Sequence, residues 1–305
     1  MASSSRVRIA YREAGASTPW IIIRRTNDAL TVGTETQRSD EIRSDRTRGD
    51  QKVTTITAAG TIDFEFNASN LDVFIAAALG GTWTADTPVV GTDQLKNGVT
   101  VPKFEFLKSY LDTDDHVKIG DAVVGEMQLT ANAGEKVTGQ ISIMGSSHDD
   151  DYDPTGDTFD EPSDTVIMDS SNNLGTILID GSAASGICFT GISFTISGGF
   201  QMSQCVGNQY QDHFAGSIDI TGTLTTRLSA EGLALWRKSI TSTPVSFGFT
   251  LSEGDDSYDI SLPRNFLSGD LPSGGLDAIL TSDLTLTSAR DANGVMMQVE
   301  RTLAV

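Results

Sequence analysis

Side chains suited to proton transfer, metal binding or nucleophilic attack are scarce in this sequence, carboxylates apart. It has three histidines, His116, His148 and His213. None has a second histidine four residues away and none lies near a G-x-S-x-G turn, so neither a zinc helix nor a serine triad is supported. Cys188 and Cys205 form no C-x-x-C pair, which argues against a zinc knuckle or a thioredoxin-like site. Two free, buried thiols are expected. Gly198-Gly199 lies in a strand context and reads as a turn or bulge, not as a phosphate loop.

Acidic residues number 41, so paired carboxylates for sugar chemistry exist by count alone. A glycosidase also needs a cleft lined by aromatic residues. Aromatics are 7% of the chain, and Trp20, Trp83 and Trp236 fall at ordinary packing positions. Eight acidic and no basic residues lie between Asp149 and Asp164, without the D-x-D-x-D-G spacing of a good calcium loop. This run reads as a solvated acidic segment. No catalytic residue, cofactor-binding residue or metal ligand is assigned.

The elements that would hold any site are short strands. Ile62-Asp63-Phe64-Glu65-Phe66 alternates cleanly, as do Phe104-Glu105-Phe106, Met127-Gln128-Leu129, Ile141-Ser142-Ile143, Ile192-Ser193-Phe194-Thr195-Ile196, Phe247-Gly248-Phe249 and Leu284-Thr285-Leu286. Such alternation predicts antiparallel sheets with one buried face. Two segments break it and predict helices. Ser69 to Gly80 has a candidate cap in Ser69, an acid at Asp72 in its first turn and a terminating Gly80. Ser229 to Lys238 has Ser229 as cap, Glu231 at its positive end, and Arg237 and Lys238 at its negative end.

These helices reveal an internal repeat. With a shift of 162 residues, Gly60-Thr61-Ile62 falls on Gly222-Thr223-Leu224, and Leu71, Val73 and Phe74 fall on Leu233, Leu235 and Trp236. With small gaps, Phe104/Phe106 matches Phe247/Phe249, Val117/Ile119 matches Tyr258/Ile260, and Met127/Leu129 matches Leu284/Leu286. The sequence therefore predicts a mainly β chain of two repeated units, each with a short flanking helix. Residues 1–26 form an N-terminal arm, 27–145 the first unit, 146–186 an acidic insertion or linker, and 187–305 the second unit. A repeat this long means duplicated domains and not a solenoid.

The net charge is −20 over 305 residues. A surface that binds nucleic acid needs Lys and Arg to displace counterions, so that class is disfavoured. Met1 to Lys52 carries 10 basic and 7 acidic residues; the remainder carries 11 and 34. A basic arm packed on an acidic body, its own or a neighbour's, accounts for the asymmetry. The N-terminus lacks the apolar stretch of a signal peptide, and the apolar run Val73–Leu79 is far too short to span a membrane. No membrane partner and synthesis in a cytoplasm are expected.

Residues 35–52 are almost wholly polar, with Ile42 as the exception. An 18-residue loop is expected there, long enough to be functional and able to reach on the order of 60 Å when fully extended. Within it, Ser39-Asp40-Glu41-Ile42-Arg43-Ser44-Asp45-Arg46 resembles the corresponding loop of the major tail tube proteins of long-tailed, non-contractile bacteriophages. Tyr11-Arg12-Glu13, the helix end Ala76 to Trp83, Leu95-Lys96-Asn97-Gly98, Gly216 to Leu224 and Tyr258 to Arg264 follow in the family's order.

The resemblance implies β-sandwich or barrel units that close into rings of six-fold or pseudo-six-fold symmetry, stack, and leave a channel for the genome. It implies a virion protein of the phage tail, with itself, the tape-measure protein and tail-end proteins as partners. DNA would pass through without specific binding. It makes Ser39, Glu41, Ile42, Arg43, Asp45 and Arg46 candidate inter-ring contacts. Because two repeats stand in for two subunits, a trimer with pseudo-six-fold symmetry is expected. The channel wall should be acidic or neutral, and Asp63 and Glu65, opposite the buried Ile62/Phe64 face, are candidate channel residues together with Glu126. Two other classes stay open on the residues alone. A monomeric surface or adhesion β-domain would show a monomer mass. A carbohydrate-active enzyme would show turnover of a polysaccharide.

Overall fold

The computed structural model describes residues 3–45, 47–272 and 276–304. A single helical turn, Ser4–Arg6, leads into β1 (Val7–Glu13), β2 (Trp20–Ile22), β3 (Asn27–Asp28), β4 (Thr31–Arg38) and β5 (Gln51–Glu65). Helix α1 (Asp72–Leu79) follows, then β6 (Thr92–Lys96), β7 (Phe104–Tyr110), β8 (Asp115–Asn132) and β9 (Thr138–Gly145). The connecting region carries β10 (Ser147–Asp149), β11 (Phe159–Asp160), β12 (Leu178–Ile179) and β13 (Ser182–Ala183). The last part runs β14 (Phe189–Ser197), β15 (Gln201–Ser203), β16 (Asp212–Phe214), β17 (Asp219–Arg227), α2 (Ala230–Ile240), β18 (Val245–Glu253), β19 (Asp256–Ser268), β20 (Thr281–Ser288) and β21 (Gln298–Thr302). The chain is mainly β.

One antiparallel run of strands, β4–β5–β9–β8–β14–β17–β20–β19, forms the backbone of the molecule. Its apolar face holds Ile62, Phe64, Ile141, Met127, Leu129, Phe194, Leu224 and Leu284, all buried. At 25 cal/mol per Å², each large side chain taken out of water here contributes roughly 2 kcal/mol. Strand β8 is long enough to serve two regions. Its first part pairs with β7, up to Phe104 opposite Ala122, and its second part pairs with β9 and β14. Strand β7 then pairs with β1, and β1 with β2.

Pairing in the two halves follows one pattern. In the first, β5 pairs with β9, β9 with β8 and β8 with β7, with Ile62 opposite Ile141 and Phe106 opposite Ile119. In the second, β17 pairs with β20, β20 with β19 and β19 with β18, with Leu224 opposite Leu284 and Phe249 opposite Ile260. The place of Leu284/Leu286 in the first half is thus taken by Ile141/Ile143 and not by Met127/Leu129, which sit one strand further along.

Several expectations need correcting. Residues 35–52 are not a loop throughout: β4 and β5 pair as far as Arg38 opposite Gln51, and the backbone N–H of Ser39 reaches Asp50 O at 2.9 Å. The connection proper is 39–50. Ser69 does not cap α1: its φ is +72°, its N–H is donated to Tyr258 Oη at 2.9 Å, and Leu71 occupies the cap position. Gly80 does terminate that helix in the left-handed region, at φ 59°. Ser229 caps α2 by accepting the N–H of Gly232 at 3.0 Å. Cys188 and Cys205 are both exposed, not buried.

The N-terminal segment packs on its own chain, one of the two alternatives expected for it. Its strand β1 lies between β2 and β7, with Ile9, Ala10 and Tyr11 buried. The acidic run is docked as well as solvated. β11 pairs with β2, Trp20 donates to Asp157 at 2.8 Å, and the Arg12 guanidinium sits 4.1 Å over Trp20 and 4.0 Å from Asp157. Arg8 stacks 3.6 Å over Phe159. The basic N-terminus and part of the acidic insertion thus contact each other within one chain.

Candidate channel wall and projecting hairpin

Strand alternation puts a polar side chain opposite each core residue of the central sheet. Because the registers are continuous, these side chains line up in rows across both halves. One row runs Asp63, Gln140, Gln128, Thr195, Thr221, Thr287. The next runs Glu65, Thr138, Thr130, Ser193, Thr223, Thr285. A third contains Thr61, Ser142, Glu126, Ser197 and Asp219. Asp63, Glu65 and Glu126 therefore share one face of one sheet.

Hydroxyls and amides dominate this face. Its carboxylates include Asp63, Glu65, Glu126, Asp219 and Asp283, and its basic strand residues include Arg227, at the end of β17, and Arg264 of β19, which sits 5.1 Å over Phe266 opposite Thr287. Asp63 accepts from Asn27 Nδ2 at 3.0 Å and Gln140 Nε2 at 2.6 Å, so it is held by neutral donors. Glu65 pairs with Lys136 at 2.7 Å. Glu126 is exposed, and Thr225 donates to Asp283 at 2.7 Å.

At one edge the β4–β5 ribbon projects away from the core. Its tip is internally braced: Glu41 N–H reaches Ser39 Oγ at 3.3 Å, Arg43 pairs with Glu41 at 3.0 Å, and Thr47 donates to Asp45 through its backbone and its hydroxyl at 3.1 and 2.8 Å. The hydrogen bonds from Thr47 hold the Asp45 carboxyl below the usual carboxylate range. Ile42 is 99% exposed at this tip. Arg46 lies outside the described residues.

The comparison with known families decides between a binding module and a structural subunit. A family model described as "Phage tail tube protein" matches residues 3–288. The chain belongs to the phage tail tube protein family. It is a structural protein of the virion tail. No curated protein matches the sequence.

Membership of the tail tube family fits a site that is a surface and not a pocket. Among the described residues no group of three or more His, Cys, Asp or Glu side chains could hold a metal ion, and no helix is long and apolar enough to cross a membrane. A cleft of about 1000 Å³ is an open groove beside β1 and β3, where Arg25 and Lys108 both pair with Asp28.

Sequence reasoning singled out three residues of the polar face and passed over the rest. The signal was present: each buried residue of an alternating strand implies an outward neighbour, and Gln128, Thr195 and Thr285 were among those neighbours. Missed altogether was a buried polar node. Asp72, 5% exposed at the start of α1, accepts from Tyr258 Oη at 2.7 Å and Arg301 Nη1 at 2.5 Å. Arg301 also pairs with Asp93 at 3.0 Å and lies 4.2 Å over Trp83, whose indole N–H is donated to Asp72 O at 3.0 Å. This node ties the first helix to β19 and β21.

Proposed function

We propose that three chains close into a ring, that rings stack through the projecting hairpin into a tube, and that the polar face of the central sheet is the wall of the channel. The observation that carries this reading is the continuity of that face. Its rows cross from the first half into the second with no break, and the two halves pair their strands in one pattern, so one chain stands in for two subunits.

Eight strands per chain in the central sheet make 24 in a ring of three. At ~4.8 Å spacing and about 40° tilt such a barrel has a backbone diameter on the order of 45–50 Å. That leaves room for duplex DNA after side chains are added. Closure also removes the exposed strand edges that otherwise invite disordered aggregation.

The wall suits passage and not binding. Retaining DNA requires cations that displace counterions from phosphate, and this face is rich in carboxylates and hydroxyls instead. The tape-measure protein would occupy the channel before DNA, and tail-end proteins would cap the stack. A negative-stain image of purified protein tests the reading: tubes or rings with a stain-filled centre are expected. A population of isolated monomers across concentrations would overturn it.

A further inference from the structure

Strand β14 is held on both edges. β17 takes one and β8 the other, with Thr195 opposite Gln128, Ile196 opposite Met127 and Ser197 opposite Glu126. The β3–β4 stretch runs along β5 as β14 runs along β17. Thr31 lies opposite Ala59, Val32 opposite Ala58 and Gly33 opposite Thr57. Thr195 lies opposite Thr221, Ile196 opposite Ile220 and Ser197 opposite Asp219. With β5 and β17 aligned through Gly60 and Gly222, Thr31-Val32-Gly33 stands where Thr195-Ile196-Ser197 stands in the second half. Yet β4 pairs only with β5 among the described residues; its other edge has no strand.

The missing partner is present at the opposite end of the sheet. β19 corresponds to β8: Leu267 lies opposite Leu286 as Val124 lies opposite Ile143, and Ser268 opposite Thr285 as Glu126 opposite Ser142. β8 continues as a strand to Asn132, and β14 lies along it from Glu126 onward. β19 ends at Ser268, the counterpart of Glu126. The strand thus stops where its second neighbour is lacking. Leu271, three residues on, falls at the place of Leu129; Leu129 is 4% exposed and Leu271 is 56% exposed.

We infer that the segment Ser268–Leu271 extends β19 when a second copy of this chain arrives, and pairs antiparallel with Leu30–Gly33 of that copy in the register of β8 with β14. Gly33 faces Ser268, Thr31 faces Asp270, and Leu271 packs beside the buried Leu30. Pro272, with no N–H to donate, ends the ladder. Head-to-tail pairing of two different edges closes a ring when the rotation allows it. This inference rests on the ring reading and adds to it the strands and register of the joint.

The test is a cross-link. In the full chain carrying Cys188→Ser and Cys205→Ser, Thr31→Cys with Asp270→Cys should on oxidation convert assembled protein into reducible oligomers ending at a covalent trimer. Thr31→Cys with Asp283→Cys, two strands out of reach, should leave monomers on a denaturing gel. A second variant needs no disulfide: Leu271→Asp should leave the thermal midpoint of the free subunit unchanged and cut ring formation at least tenfold. Wild-type assembly that forms rings without the 31–270 cross-link, or Leu271→Asp rings at normal yield, overturns the joint and leaves the ring reading standing. A wild-type chain that forms no ring overturns both.

Discussion

Asp72 shows how far a single residue can be read from sequence. Its place in the first turn of α1 was legible as a charge near a helix N-terminus. Its burial, and its ties to Tyr258 and Arg301, were not, because those partners lie 186 and 229 residues away. Burial pushes the Asp72 carboxyl up from its ordinary value, and Arg301 and the Tyr258 hydroxyl pull it partly back. Tyr258 is pushed up by the same burial and by the neighbouring carboxylate. Removing the cation leaves a buried, unpaired carboxylate, so Arg301→Met should destabilise the free subunit by about 3–5 kcal/mol near neutral pH. The pH dependence follows in sign. A folded-state pKa above the unfolded one favours the protonated form, so that contribution is present in acid and lost as pH rises through the folded value. Arg301→Met raises that value further. Its deficit in urea unfolding should therefore be smaller in acid than at neutral pH. Asp72→Asn in the Arg301→Met background should remove the pH dependence. A deficit that stays constant with pH contradicts this account of the node.

At the scale of elements, alternation located β5, β7, β9, β14 and β20 because each buries one face. It was silent on the β4–β5 ribbon for the same reason. From Thr31 to Arg38 every residue but half-buried Val32 is exposed, so no buried face marks the strand. The ribbon therefore read as one long loop. The carboxylates of the acidic run are exposed except for half-buried Asp157, as a solvated segment requires, but its docking onto Trp20, Arg8 and Arg12 was not legible because those residues lie far away in sequence. Helix signals worked where the cap is local, at Ser229 and Gly80, and failed at Ser69, which a distant tyrosine claims. The ribbon carries an element-level prediction. Deleting 39–48 removes the braced tip and leaves the core untouched, since Ser39 to Arg48 contribute no buried side chain among the described residues. The shortened protein should stay folded by circular dichroism and form single rings, but sedimentation and microscopy should show no tubes. Tubes of normal length from that variant would mean that rings stack through another surface.

For the whole molecule, the net charge of −20 and the hydroxyl-rich face argue for a channel that DNA slides through. Glu126→Lys reverses one exposed charge per chain at a site with no side-chain hydrogen bond or ion pair among the described residues. It should cost little stability, because single exposed charges contribute little. Phage built with it should eject DNA more slowly, and the delay should weaken as salt rises, because each ring adds cationic contacts to phosphate. An unchanged ejection rate would place Glu126 away from the channel.

The proposed three-chain ring rests on the two halves of one chain serving as two positions around it. Counting the chains in a ring by cryo-electron microscopy of assembled tubes, with native mass of isolated rings, tests that most directly. Three chains of 32.4 kDa per ring, arranged with six-fold pseudosymmetry, are expected. Six chains per ring would contradict it, because each whole chain would then occupy a position that the account assigns to one half.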